Sequence, residues 1–335
     1  MSTPLRIALM GSGRMGTIRA SHIYSNPRAL LTGILDTDES AAKALAEVFS
    51  APSSNSMTSV TSDKNPIQGL VVSSPTHTHI DAIRQAPDGI PIFLEKPIAE
   101  DAEGIREAFS IANSKGNTLC CSFQRRFDAS YVSAAASVKN NSIGFPVSAH
   151  VTFGDHPCPP LSFLKEGGDI FMDLAPHDVD YICDTLQDKV KTVYATGCSS
   201  DPSLAAAGVI DNATMVCETV KGSTVTLTMS RSASYGYDQR CTFYGTEGAS
   251  SVGNISKDSS VLANKDGVTT AVLQHSFPQR FHDAFASEID AFLDVVESGA
   301  EWKVTEEECI HVQNVADAAG RSWREGGRVE VAGVL

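Results

Sequence analysis

The sequence predicts a two-domain α/β chain: a doubly wound parallel sheet in residues 1–121, then an α+β domain over 122–335 built on a large, mostly antiparallel sheet. Three observations predict it. Short apolar runs, the mark of strands buried on both faces, alternate with helix-like segments as far as residue 122. The first of these runs leads straight into Gly11-Ser12-Gly13-Arg14-Met15-Gly16. Beyond residue 146 several runs instead alternate apolar with polar residues, as half-buried strands do. A chain of 335 residues also exceeds what one core usually organises.

Residues 5–10 form the first buried strand. Gly11 permits the tight turn after it, Gly13 lets a backbone approach a pyrophosphate, and Gly16 lets helix and strand pack closely. A helix over 17–25 follows and Pro27 closes it. Its start offers N–H groups and partial positive charge to phosphates. The second strand, 30–35, ends at Asp36, twenty residues past Gly16, where an acid accepts hydrogen bonds from an adenosine ribose. Strand, glycine turn, helix and acid in that order predict a Rossmann domain. Gly11, Ser12, Gly13, Arg14, Met15, Gly16, Asp36 and Thr37 are its expected cofactor contacts. Asp36 would repel a 2′-phosphate and Thr37 supplies no cation, so NAD is expected rather than NADP.

A helix over 40–49 comes next, with Asp38 and Glu39 at its start. Residues 50–65 read as polar loop with a short strand or turn. The strand 68–72 ends at Ser73-Ser74-Pro75, placed along the cofactor because ligands sit outside the carboxyl ends of such strands. His77 and His79 precede a helix over 80–85 and read as packing or capping residues. The strand 91–94 ends at Glu95-Lys96-Pro97, expected along the cofactor as well, with Lys96 directed to the same crevice. A helix over 103–114 and a strand over 118–122 complete the first domain. In the second, strands are expected at 147–153, 190–196, 212–220, 223–231 and 240–244, with hairpin turns at 220–223 and 245–248. Helices over 284–297 and 306–323 and a strand at 328–331 follow. Such a sheet has one face on helices and one available to another subunit.

The totals narrow the function. A formal charge of −14 argues against a nucleic-acid or anionic-membrane surface, where phosphates need Lys and Arg. Eight scattered cysteines without C-x-x-C match neither a zinc pattern nor a small disulfide scaffold, and fit reduced thiols in the cytoplasm. No signal-like segment or membrane-length apolar run is visible.

Chemistry is expected in residues 167–180. Asp173, His177 and Asp180 are spaced i, i+4, i+7, which on a helix puts them on one face. A carboxylate beside an imidazole orients the ring and raises its basicity. Pro176 implies that the helix either kinks there or begins there, with Asp173 just ahead. A capped surface helix with solvated acids is the alternative for this stretch alone. No metal is expected, since no His or Cys cluster stands nearby to complete a shell.

Four separated motifs, Gly11 to Gly16, Glu95-Lys96-Pro97, Gln124-Arg125-Arg126-Phe127-Asp128, and Gly167-Gly168 with Asp173-x-x-x-His177-x-x-Asp180, resemble in their order the family of glucose–fructose oxidoreductase and inositol dehydrogenase (Gfo/Idh/MocA). The resemblance covers nearly the whole chain. It implies a Rossmann domain joined to an α+β domain, and hydride transfer between NAD and a sugar, cyclitol or other polyol, with an inositol as the nearest match. It implies Lys96, Asp173 and His177 as the catalytic group and a homodimer or homotetramer joined through the second sheet. Relatives often have a cis bond before the Pro of E-K-P, which residues alone do not decide. Tyr235-Gly236-Tyr237-Asp238-Gln239-Arg240-Cys241 is similar to a stretch of bacterial inositol dehydrogenases, which places Tyr235 or Tyr237 at the substrate. Arg126 and Asp180 offer a donor fork and an acceptor for hydroxyls, and Asp155 or His156 is expected at the pocket mouth. Leu174, Pro176 and the loop 154–160 depart from the inositol enzymes. They leave open an aldose or deoxysugar dehydrogenase or reductase, with a non-catalytic nucleotide-binding regulator as the alternative of another kind.

Overall fold

The computed structural model describes residues 3–60, 66–166 and 168–334; Gly167 of the Gly-Gly motif and the end of the 50–65 loop lie outside them. In chain order the elements are β1 (Leu5–Met10), α1 (Arg14–Ser25), β2 (Ala29–Leu35), α2 (Glu39–Phe49), β3 (Ser53–Ser54), α3 (Met57–Val60), β4 (Gly69–Val72), α4 (His79–Gln85), β5 (Ile92–Leu94), α5 (Ala102–Ser114) and β6 (Leu119–Cys121). Then come α6 (Ala129–Lys139), β7 (Pro146–Gly154), α7 (Leu161–Glu166), α8 (Ile170–Asp173), α9 (Ala175–Leu186), β8 (Val190–Cys198), α10 (Pro202–Ala206), β9 (Asn212–Thr219), β10 (Thr224–Ser230), β11 (Asp238–Gly245) and β12 (Ala249–Val252). The chain ends with β13 (Val261–Asn264), β14 (Gly267–Thr270), α11 (Phe277–Arg280), α12 (His282–Ser298), α13 (Glu306–Glu325) and β15 (Arg328–Glu330).

Contacts divide the chain into two compact units, Met1–Phe127 with Asp283–Ile310, and Asp128–His282 with His311–Leu335. Segment 283–310, grouped with the second domain from sequence, thus belongs to the first unit. The first unit holds a six-stranded sheet in the order β3-β2-β1-β4-β5-β6, parallel throughout. The strand order reverses between β1 and β4, the switch point at which such sheets bind ligands. Backbone pairing carries the next residues along the same edge: Ser73 N–H donates to Met10 O at 2.7 Å, Glu95 N–H to Val72 O at 3.1 Å, and Ser122 N–H to Leu94 O at 2.8 Å. Apolar burial explains why α12 joins this unit. Phe292 packs edge-on against Phe93 at 5.7 Å, and Trp302, beyond α12, against Phe93 at 5.9 Å.

Arg19 of α1 is fully buried here, its guanidinium 4.6 Å from the Phe93 ring and 4.8 Å from that of Phe285. Nε donates to Glu95 at 2.6 Å, while Nη2 donates to Glu288 at 2.9 Å and to the Ser122 hydroxyl at 2.8 Å. One cation serves two carboxylates, and the deeper one goes short. Burial, with the charge of Glu95, pushes Glu288 up to about 7 against the pull of Arg19. A carboxyl raised on folding adds stability that is complete below its unfolded value of 4.5 and is lost as pH climbs through about 7. The full effect is on the order of 3 kcal/mol. Glu288→Gln should remove this slope. Urea midpoints at about pH 5 and pH 8 check it: relative to wild type, the variant should gain stability at the higher pH, and parallel curves would refute the assignment.

The second unit holds a seven-stranded sheet in the order β12-β11-β7-β10-β9-β8-β15. Every neighbouring pair is antiparallel except β7 with β10. These two are parallel because a long stretch containing α7 to α9, β8 and β9 separates them, enough chain to return to the starting edge. The turn at 220–223 joins β9 to β10, and that at 245–248 joins β11 to β12, as their spacing predicts. Helix α9 lies against β7 and β10. On the other face Tyr194, Val216, Thr226, His150 and Thr242 stand in register across five strands.

Candidate functional site

The glycine turn closes on backbone, not on side chains. Gly11 has φ +98°, and a Cβ there would lie 2.6 Å from the backbone of Ser73 and Ser74. A Cβ on Gly16 would lie 2.0 Å from Gly11 O. A Cβ on Gly13 would meet nothing within 4 Å. The turn is therefore pressed against the end of β4 on one side and against α1 on another, and is open at Gly13. There α1 begins with no side-chain cap, so its first N–H groups face that opening.

Asp36 directly follows β2, and its Oδ2 accepts the Ser12 N–H at 2.8 Å and the Ser12 hydroxyl at 2.5 Å. Oδ1 accepts the Asp38 N–H at 3.0 Å. Burial acts to raise its pKa, but the Ser12 hydroxyl and these two N–H groups outweigh it and hold the carboxyl below the usual range. Asp36 is thus an anion at neutral pH. Arg14 and Thr37 are exposed and Met15 is half-buried. Open space over Gly13, an uncapped helix start and an acid at the end of β2 fit an NAD molecule. Ser73, Ser74, Pro75, Glu95, Lys96 and Pro97 follow β4 and β5 on the same edge.

His79, read from sequence as a packing residue, is buried with Nε2 3.0 Å from Ser74 O and Nδ1 3.2 Å from Ile98 O. It stands between the loop after β4 and the loop after β5, donating to one of the two carbonyls when neutral. Burial pushes its pKa down against those two carbonyls. The Lys96–Pro97 and His156–Pro157 bonds are cis.

In the second unit the break at Pro176 falls as the second alternative had it. Asp169 caps α8 by accepting the N–H groups of Phe171 and Met172, and Leu174 links α8 to α9. Pro176 sits in the first turn of α9, where its missing N–H costs nothing. Asp173 therefore stands at the end of one helix and His177 in the first turn of the next. Asp173 accepts a hydrogen bond from Arg231 Nη1 at 2.8 Å. Arg231 is buried just past β10, and sequence reasoning missed it. A buried arginine at a strand end needs a carboxylate, but 58 residues separate it from this one.

His177 is half-buried, its ring 6.2 Å from that of Phe153. Phe153 in turn lies 6.1 Å from Tyr237, which is itself buried. Asp155 follows β7 and is joined to Ser230 O by its N–H at 2.7 Å. Asp155, Arg231 and Tyr237 thus gather where β7 and β10 end and β11 begins. Asp180 is fully buried in α9. Tyr235 is 61% exposed, its hydroxyl donating to Asp238 at 2.8 Å. The His156 ring packs edge-on against His275 at 5.2 Å. Arg126 is buried in the first unit, where it donates to Lys303 O at 2.6 Å and to Glu308 at 2.9 Å. Among the described residues no group of His, Cys, Asp and Glu is set to hold a metal, and no helix is long and apolar enough to cross a membrane.

A parallel-sheet unit with an open phosphate cradle, and a second unit presenting a carboxylate and an imidazole, define a nicotinamide-linked oxidoreductase. Residues 5–123 match the oxidoreductase family with an NAD-binding Rossmann fold, and residues 131–251 match the GFO/IDH/MocA C-terminal domain. The chain is 32% identical over 330 residues to inositol 2-dehydrogenase of Rhizobium meliloti, covering 98% of this chain and 99% of that one. It is 28% identical to the scyllo-inositol 2-dehydrogenase (NAD(+)) of Bacillus subtilis, over 99% and 97% of the two chains. The crystal structure of a myo-inositol dehydrogenase from Corynebacterium glutamicum superposes with a TM-score of 0.91 at 30% identity, over 98% of this chain and 99% of that one. The chain belongs to the GFO/IDH/MocA oxidoreductase family.

Proposed function

We propose that the chain is an NAD-dependent cyclitol dehydrogenase that oxidises an inositol, myo-inositol first among them, at one CH–OH group to the 2-keto form. The observation that carries this reading is Asp173 four residues before His177 where β7 and β10 of the second sheet end, with Arg231 fixing the carboxylate. Inositol dehydrogenases from several bacteria align over nearly the full chain, which supports the substrate class.

Bound NAD supplies a hydride acceptor. His177 takes the hydroxyl proton as general base. Asp173 orients the ring and offsets the positive charge that forms on it, while Arg231 keeps Asp173 from turning away. Lys96 donates to the substrate oxygen as the O–H breaks. Asp180, Asp155, His156, Tyr235 and Tyr237 are assigned to the hydroxyl-binding pocket, with Tyr237 beside the Phe153 ring that also meets His177. Arg126 is assigned to anchoring, given its hold on Lys303 and Glu308. The decisive test is a panel of inositols, aldoses and deoxysugars followed by reduced-nicotinamide absorbance. Turnover of aldoses alone would displace the cyclitol reading, and NAD binding without turnover of any of them would make the chain a regulator.

We assign NAD over NADP because the Asp36 anion would face a 2′-phosphate and exposed Thr37 offers it no counter-charge. Asp36→Ala should raise KM for NAD by about 10- to 100-fold, the loss of one charged hydrogen bond of about 1.5–3 kcal/mol. It should raise KM for NADP far less. An unchanged ratio of the two would refute the assignment.

We place the enzyme in the cytoplasm: its eight cysteines are free thiols, as a reducing compartment keeps them. We also assign it a homodimer or homotetramer joined through the outer face of the seven-stranded sheet. On that face Tyr194, Val216 and Tyr244 are each at least 41% exposed.

A further inference from the structure

The residues on both sides of Lys96-Pro97 are held by groups that the proposed reaction does not use. On one side Glu95 gives Oε1 to Arg19 Nε at 2.6 Å. Arg19 has no exposure, and Glu288, which it meets at 2.9 Å, has none either. The Ser122 hydroxyl closes the ring: it accepts from Arg19 at 2.8 Å and donates to Glu288 Oε1 at 2.9 Å. On the other side Ile98 O faces the His79 ring. The cluster gathers α1, the ends of β5 and β6, and α12 at one point.

Stability is a weak reason for such a cluster. Apolar residues of similar size would pack here at comparable or lower free energy, because desolvating two carboxylates and a guanidinium offsets their attraction. What an apolar core cannot do is fix a carboxylate in direction as well as position. The Arg19 fork does that for Glu95, since Nε and Nη2 are committed to different partners and the Phe93 and Phe285 rings both pack against the guanidinium carbon, at 4.6 and 4.8 Å. Glu95 is one peptide bond from Lys96. Holding its side chain from α1 and α12 limits how far the next residue can move.

We propose that Arg19, Glu288 and Ser122 are positioning residues for Lys96, aligning its amine through Glu95. This rests on the reading that Lys96 acts on the substrate oxygen. A misplacement of about 1 Å in a reacting group can lower rate on the order of 100-fold. The loosening expected here is smaller.

At about pH 8, where Glu288 is ionised, Glu288→Gln keeps the shape and removes one charge. It should lower kcat about 10-fold, with Kd for NAD within about twofold, and Arg19→Lys should do the same or more. A general loss of folding would move both constants. In a Lys96→Met background Glu288→Gln should add less than about a twofold loss, because the group being positioned is gone. Full additivity would overturn the proposal, and so would a kcat unchanged in the well-folded single variant. Ser122→Ala, which removes one hydrogen bond from each partner, serves if Glu288→Gln does not fold.

A second readout needs no substrate. Acetic anhydride labelling at about pH 8, read by mass spectrometry, reports the reactivity of Lys96 against exposed Lys265 as an internal standard. Glu288→Gln should speed labelling of Lys96 about threefold or more, since the segment that Glu95 anchors is freer. An unchanged ratio would overturn the positioning role. If the wild-type chain turned over no polyol, the proposed activity would fail while the labelling result still decided this inference.

Discussion

His177→Ala is expected to lower turnover of the cyclitol by about 10²- to 10⁴-fold, the loss of a positioned base worth roughly 3–5 kcal/mol. Kd for NAD should stay within about twofold, because His177 lies in the second unit, whereas the glycine turn, Asp36 and the loop after β4 assigned to the dinucleotide lie in the first. The residue is half-buried beside Phe153, so the alanine leaves a recess rather than a packed gap. Added imidazole should therefore recover part of the lost rate, and should do nothing for the wild type. Arg231→Met should give an intermediate loss, since it releases Asp173 without removing the base. Reduced-nicotinamide absorbance under saturating NAD separates these outcomes. Full activity in His177→Ala would end the general-base assignment, whatever the substrate.

The parts of this arrangement that could be read in the residues are the local ones. Strand, glycine turn, helix and acid lie within residues 5–36, and each constrains its neighbour through sterics that act over a few bonds. Pro176 likewise announced a helix start, leaving only the choice between a kink and a break. The contacts that escaped are pairings between distant segments. Arg231 meets Asp173 across 58 residues, and Arg19 meets Glu288 across 269. Periodicity shows that such residues are buried or exposed, but not which partner they find. The same limit hid the parallel pairing of β7 and β10. Both strands alternate as half-buried strands must, and that pattern is blind to the direction of a neighbour. Arg126 is a further case: its bonds to Lys303 and Glu308 span 177 and 182 residues, beyond the reach of any local pattern.

Gly16→Ala should abolish detectable NAD binding, weakening it by at least about 100-fold, and should lower stability by about 2–4 kcal/mol. The added Cβ falls 2.0 Å from Gly11 O and 2.8 Å from Gly11 C, both backbone atoms that no rotamer change can move. Gly11 cannot retreat. Its N–H is bound to Leu35 O at 2.8 Å, and its Cα side already abuts the Ser73 backbone. So α1 must lift away from β1, taking its first N–H groups off the line along which they meet the pyrophosphate. Gly13→Ala separates this from a mere loss of ligand contacts. Gly13 has φ −70° and ψ −164°, open to any residue, and its Cβ would touch nothing. That variant should unfold within about 0.5 kcal/mol of wild type yet bind NAD poorly, because the methyl occupies the opening itself. Thermal melts with and without NAD distinguish the two. Gly16→Ala should melt low in both conditions. Gly13→Ala should melt normally without NAD and gain little from it. Equal ligand stabilisation of wild type and Gly13→Ala would show that the dinucleotide lies elsewhere than over this turn.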